Sequence, residues 1–157
     1  MPGRRLALTV HIAASMGWLG AAAAFLAMAA IGLASNDPDI VRAVYLVMEP
    51  TAWAALVPLA IASLVTGVVS SLLSVWGLFR HWWVVFKLLI NVFATVILLM
   101  YMATFRAIAE VAADPAVDLA LVRNPSPLLH GLIAIVALLV ATVLSVYKPR
   151  GLTPASG

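Results

Sequence analysis

Four stretches of this chain, about 6–34, 51–76, 82–105 and 127–147, are apolar almost without interruption, and Lys87 is the one charged residue inside them. A bilayer core of roughly 30 Å is crossed by about 20 helical residues, so each stretch is long enough to span a membrane. Together they occupy most of the 157 residues and leave no room for a separate soluble domain. The composition agrees: 65% hydrophobic and 10% charged, with a mean hydropathy of +1.14, is too little polar surface for a water-soluble domain of this size. The first stretch follows Arg4 and Arg5 as a signal peptide would. Its apolar length exceeds the roughly 7–15 residue core of such peptides, so it is read as a span.

The spans are continuously apolar rather than alternating, which predicts helices and excludes a lipid-facing barrel. The expected fold is all-α, an integral membrane four-helix bundle forming a single domain over 1–157. Pro38, Pro115, Pro125, Pro127, Pro149 and Pro154 punctuate the spans, whereas Pro50 and Pro58 predict a kinked second helix beginning as early as Pro38. The third helix is expected to overshoot the membrane, with Arg106 and Glu110 spaced as a solvated i,i+4 pair before Asp114 and Pro115 end it.

Charge sets an expected orientation. Arg4, Arg5, Arg80, Lys87, Lys148 and Arg150 fall on one side of the zigzag, and Arg42, Arg106 and Arg123 on the other. The excess predicts that both termini are cytoplasmic. All the acids, Asp37, Asp39, Glu49, Glu110, Asp114 and Asp118, lie on the outer side. The inner rim therefore suits anionic lipid headgroups, and the net charge of +3 is no argument for nucleic acid. The absence of cysteine excludes disulfides, thiolate metal sites, iron–sulfur clusters and covalent heme attachment.

Helical periodicity sorts the polar residues onto faces. His11, Ser15 and Trp18 share one face of the first helix; Ser63, Thr66, Gly67, Ser70 and Ser74 form a stripe on the second. Trp83, Lys87, Asn91 and Thr95 follow one another at i+4 on the third, and His130, Ala134, Ala137, Ala141 and Ser145 make a small-residue ridge on the fourth. For most of these the ordinary role is close helix packing, and the ridge offers a surface for a homo-oligomer or a larger membrane complex.

Depth singles out two residues. His11 and Lys87 each lie five positions, about 7 Å, into their spans from the inner side, in one layer with the second-helix serines. A lysine at that depth either snorkels to the interface or meets an anion, and no acid of this chain can reach it. A lone histidine at that depth either bonds a neighbouring helix or ligates. Imidazole to iron and ammonium to propionate, walled by tryptophans, is the chemistry of a b-type heme. The candidate cofactor-binding set is His11 as metal ligand, Lys87, His81 as a second ligand from the loop, Arg80, Ser15 and Asn91. His130 lies roughly 15–20 Å away near the outer face, so a pair of bis-histidine hemes is not expected.

The segments HIAASMGWLG and WVVFKLL resemble the pattern of a bacterial membrane superfamily with a first-helix histidine and a Trp-x-x-x-Lys-Leu opening to the third helix. The chain most resembles an uncharacterised family of small bacterial four-helix integral membrane proteins, through SLVTG at 63–67, WGLFRHWW at 76–83 and LSVYKPRGLT at 144–153. It is distantly similar to the heme-binding protoporphyrinogen oxidases of bacteria and to the membrane domain of copper-resistance proteins. The first of these likenesses implies functional roles for His11 and Lys87, while SLVTG and KPRGLT belong to the uncharacterised group.

No HExxH, GxGxxG or P-loop pattern occurs, and the serines have no acid in their layer for a triad. Methionines are scattered rather than clustered for copper, and a transporter would more typically show repeated halves or broken midplane helices, for which the Pro50 and Pro58 segment is weak evidence. Two expectations stand: a heme b protein with a redox role, or a cofactor-free accessory or structural protein acting through helix packing and lipid binding.

Overall fold

The computed structural model describes residues 2–74, 76–149 and 151–154. Arg150, counted above with the inner cations, lies outside them. Helix α1 spans Pro2–Ala34, α2 Pro38–Thr51, α3 Val57–Leu72, α4 Trp82–Ala113, α5 Leu119–Val122 and α6 Ser126–Tyr147. A π-helical segment, Ala52–Leu56, joins α2 to α3 without a break, so the two form a single rod. Among the described residues, four stretches are long and apolar enough to cross a membrane: α1, α2–α3, α4 and Leu119–Tyr147, which holds α5 and α6.

The π segment sits between the two prolines that predict a kink. Neither Pro50 nor Pro58 has an N–H, so the ladder loses a donor at each, and the Val57 amide reaches back five residues to the Ala52 carbonyl. The accommodation is a widened turn within one rod, beginning at Pro38 as the sequence suggests, with Asp37 Oδ1 capping the Asp39 amide at 2.9 Å. Helix α4 overshoots to Ala113 and stops at Asp114, and Arg106 Nε meets Glu110 Oε1 at 3.2 Å on an exposed face. The one-turn helix α5, held by Asp118 Oδ1 on the Ala120 amide, is an element the hydropathy pattern does not reveal.

Helix α1 packs on α2, α3 and α6, and α4 packs on the same three from the other side. Its apolar outer surface is extensive: Phe93, Met100, Leu121 and Val146 are among many large side chains left exposed. A surface of that kind is rare on soluble monomers and matches a lipid solvent.

The bundle is filled unevenly. At the end away from the chain termini, Trp18, Phe25, Tyr45, Met48, Met102, Phe105 and Ile108 interlock in one cluster, with Phe25 edge-on to Phe105 at 5.6 Å between ring centroids. The loops there are tied by two arginines that cap helix C-termini. Arg42 donates to the carbonyls of Ala112, Asp114 and Val117 at 2.6–3.2 Å, and Arg123 to those of Leu33 and Ser35, both at 2.6 Å. Arg42 and Arg123 therefore have local structural work. The other end carries the first and last described residues and is lined by small residues: Ser63, Gly67 and Ser70 of α3, Ser74 just beyond it, and Ala141 and Ser145 of α6. Such side chains cannot fill the space between α1 and α4, and a cavity results.

Candidate functional site

The cavity, about 500 Å³, opens among α1, α3, α4 and α6 at the terminal end. Its wall is mostly apolar, and its charged lining residues, Arg4, Lys87 and Lys148, are all cations. Among the described residues no carboxylate lines it.

At its deepest layer, a directed chain of hydrogen bonds crosses three helices. Ser63 Oγ donates to Asn91 Oδ1 at 3.5 Å, which leaves Ser15 Oγ to donate to Ser63 Oγ at 2.8 Å. Asn91 Nδ2 then donates to the Lys87 carbonyl at 2.9 Å, and Thr95 Oγ1 to the Asn91 carbonyl at 2.8 Å. Asn91, Ser63 and Thr95 are buried, so this network fixes the registry of α1, α3 and α4 below the next layer.

That layer holds His11 and Lys87. His11 Nδ1 lies 3.1 Å from the Ser63 carbonyl and 3.2 Å from Thr66 Oγ1. A carbonyl can only accept, so Nδ1 carries the proton and Nε2 the lone pair, a tautomer assigned from its partners. Lys87 Nζ stands 3.2 Å from Nε2 and donates to it. Gly67 makes the close approach of α3 feasible: a Cβ there would fall 3.0 Å from His11 Cε1. The expected shared layer of His11 and Lys87 is thus a direct contact. Sequence reasoning had no signal for it, because nothing in the helical pattern fixes the distance between α1 and α4.

One turn nearer the terminal end stand Ser70 of α3 and Trp83 of α4. Ser70 Oγ and Trp83 Nε1 are buried and have no hydrogen-bond partner among the described residues, and both side chains line the cavity. Trp82, by contrast, is exposed. The two adjacent tryptophans therefore divide, one facing outward and one inward.

His81 and Arg80, the other members of the expected set, do not line the cavity. His81 Nδ1 bonds the Trp76 carbonyl at 2.8 Å and the ring lies edge-on to Trp76, 5.1 Å between centroids. The returning C-terminal segment pairs with this loop: Leu152 bridges His81, the Thr153 amide donates to the Arg80 carbonyl at 3.1 Å, and Thr153 Oγ1 bonds the Phe79 carbonyl. The loop turns at Gly77, whose φ of +62° favours glycine. Trp76 then contributes to the mouth of the cavity, with Trp83 edge-on at 5.8 Å and Lys148 Nζ 5.5 Å from its ring centre.

His130 lies on α6 near the opposite end, where Nδ1 is 2.9 Å from the Ser126 carbonyl and the ring stacks on Tyr101 at 4.3 Å. The small-residue ridge beginning at His130 turns into the bundle, with Ala141 buried. Among the described residues no group of three or more His, Cys, Asp or Glu gathers to hold a metal ion. A heme iron draws only one or two ligands from protein, so this bears on protein-only sites. No family model, curated protein or solved structure matches this chain.

Proposed function

We propose that this protein resides in a bacterial cytoplasmic membrane with both termini inside, and holds b-type heme in its inner cavity through His11. The supporting observation is the orientation of His11. Its Nδ1–H is anchored on a backbone carbonyl and its Nε2 lone pair turns toward Lys87 and the cavity. Metal-ligating histidines are commonly held in this way. The donor chemistry fits the group: one imidazole nitrogen for iron, cationic Lys87 for a propionate, and apolar walls with Trp76 and Trp83 for the ring. Lys87 would exchange Nε2 for the propionate. Bound heme supplies one-electron redox chemistry, while the chain contributes position, counter-charge and exclusion of water. His81 and Arg80 belong in this reading to the loop that shapes the mouth, and Ser15 and Asn91 to the network beneath His11.

A second reading has its own observation. Both ring nitrogens of His11 are already bonded, as in a histidine whose work is helix packing. In that case the protein is a cofactor-free accessory protein whose inner rim holds lipid.

An absorption spectrum separates the two. On the heme reading, detergent-purified protein supplied with hemin develops a Soret band that His11→Ala abolishes. A preparation that stays colourless after hemin, or a band that survives His11→Ala, overturns the heme reading.

A further inference from the structure

Buried donors without partners are uncommon in folded proteins, and the two here share one layer of one cavity. Trp83 is nine-tenths buried, at 9% exposure, and its indole N–H can donate but not accept. It requires an acceptor. Ser70 lies one helical turn beyond Gly67, which abuts the His11 ring, and Trp83 one turn before Lys87 on the same face of α4. Because α3 and α4 run in opposite directions, these steps bring Ser70 and Trp83 to the same depth, just above the His11–Lys87 contact.

Lys87 adds the charge. An ammonium has three N–H donors, and the described partner of this one is the uncharged Nε2 of His11. A cation at this depth without a counter-ion is costly, and the other charged groups of the cavity, Arg4 and Lys148, are also cations. The arrangement presents hydrogen-bond donors and positive charge to a space with no acid of its own.

The rest of the lining is apolar. Leu8, Ile12 and Met16 follow one stripe of α1 beside the His11 face and remain exposed on the outer surface, so the apolar wall is continuous with the lipid-facing side of the bundle. We propose that Trp83 Nε1, Ser70 Oγ and Lys87 Nζ form an oxyanion subsite for the phosphate or carboxylate headgroup of an acidic amphiphile, whose apolar body lies along Leu8, Ile12 and Met16. Arg4 and Lys148 at the rim draw such anions from the surface. The subsite needs no iron: a parent protein that stays colourless with hemin overturns heme binding alone, whereas the measurement below reads the headgroup.

Protein stripped of lipid in detergent is titrated with oleoyl-chain phosphatidylglycerol, the matching phosphatidylcholine, oleate and inorganic phosphate, and bound species are counted by native mass spectrometry. Phosphatidylglycerol or oleate is expected to bind at least about tenfold more tightly than phosphatidylcholine. Trp83→Phe, which keeps the ring and removes the N–H, is expected to weaken that binding roughly tenfold, the worth of one hydrogen bond to a charged acceptor. If Trp83→Phe fails to fold by circular dichroism, Ser70→Ala carries the same test with loss of a single oxygen. Preference for phosphatidylglycerol over oleate names phosphate as the headgroup, and the reverse names carboxylate. Equal binding of phosphatidylcholine, or folded variants that bind like the parent, overturns the subsite. Inorganic phosphate binding as tightly as the amphiphiles overturns the role given to the apolar wall.

Discussion

Lys87 Nζ lies 3.2 Å from His11 Nε2, while the opposite nitrogen of the same ring is fixed 3.1 Å from the Ser63 carbonyl, so one imidazole ties α4 to α3 through α1. Removing either partner has a different cost. His11→Ala removes one donor from the Ser63 carbonyl, which keeps Thr66 Oγ1 at 3.4 Å, and leaves the Lys87 ammonium without its described partner, and is expected to destabilise the bundle by about 1–3 kcal/mol. Lys87→Met removes a buried charge but leaves His11 Nε2 without a donor, and is expected to cost clearly less than His11→Ala. Reversible unfolding in mixed micelles measures both. Equal losses would show that the contact does not join the helices as described.

Gly67 sets how closely α3 approaches that ring. A methyl group at this position would fall 3.0 Å from Cε1, tighter than ordinary contact, and the ring is held from both sides. Gly67→Ala is therefore expected to displace His11 and to cost about 1–3 kcal/mol, the usual range for overpacking. Nitrogen NMR of the histidine side chain checks it directly: an unchanged Nδ1–H signal would mean that the ring has room to give.

The spans were legible because a run of uncharged residues long enough to cross a bilayer permits few alternatives to a helix. The α4 overshoot was legible too, since Arg106, Glu110, Asp114 and Pro115 spell out a solvated turn and a stop. His11 and Lys87 could be placed in one layer by counting residues from the span ends. Their contact could not, nor could the unpartnered donors of Ser70 and Trp83, because these depend on rotation and separation of helices distant in sequence. Arg80 and His81 show what adjacency leaves out: depth places them near the site, but they do not line the cavity, and His81 faces Trp76 in a loop paired with residues 152–153.

At the far end, Arg42 and Arg123 act on different helices. Arg123 caps α1 and Arg42 caps α4, each through more than one charged hydrogen bond. Arg42→Ala and Arg123→Ala are each expected to lower stability by about 1.5–3 kcal/mol. Arg106→Ala, which loses only an exposed i,i+4 pair, should change it by no more than about 0.5 kcal/mol. Thermal unfolding of the three variants ranks them; an Arg106→Ala loss as large as the others would contradict the capping role.

The proposed orientation can be read without disturbing the site, because the chain has no cysteine to label by accident. Asn36 lies exposed in the α1–α2 connection at the acidic end, and Phe79 exposed in the α3–α4 loop at the terminal end. With both termini cytoplasmic, Asn36→Cys is expected to react with a membrane-impermeant maleimide in intact spheroplasts, while Phe79→Cys reacts only after the membrane is opened. The reverse pattern would turn the bundle over, and with it the assignment of the basic cavity to the inner leaflet. Labelling of both sites in sealed spheroplasts would instead reveal a mixed topology, incompatible with the charge excess at the terminal end acting as the determinant.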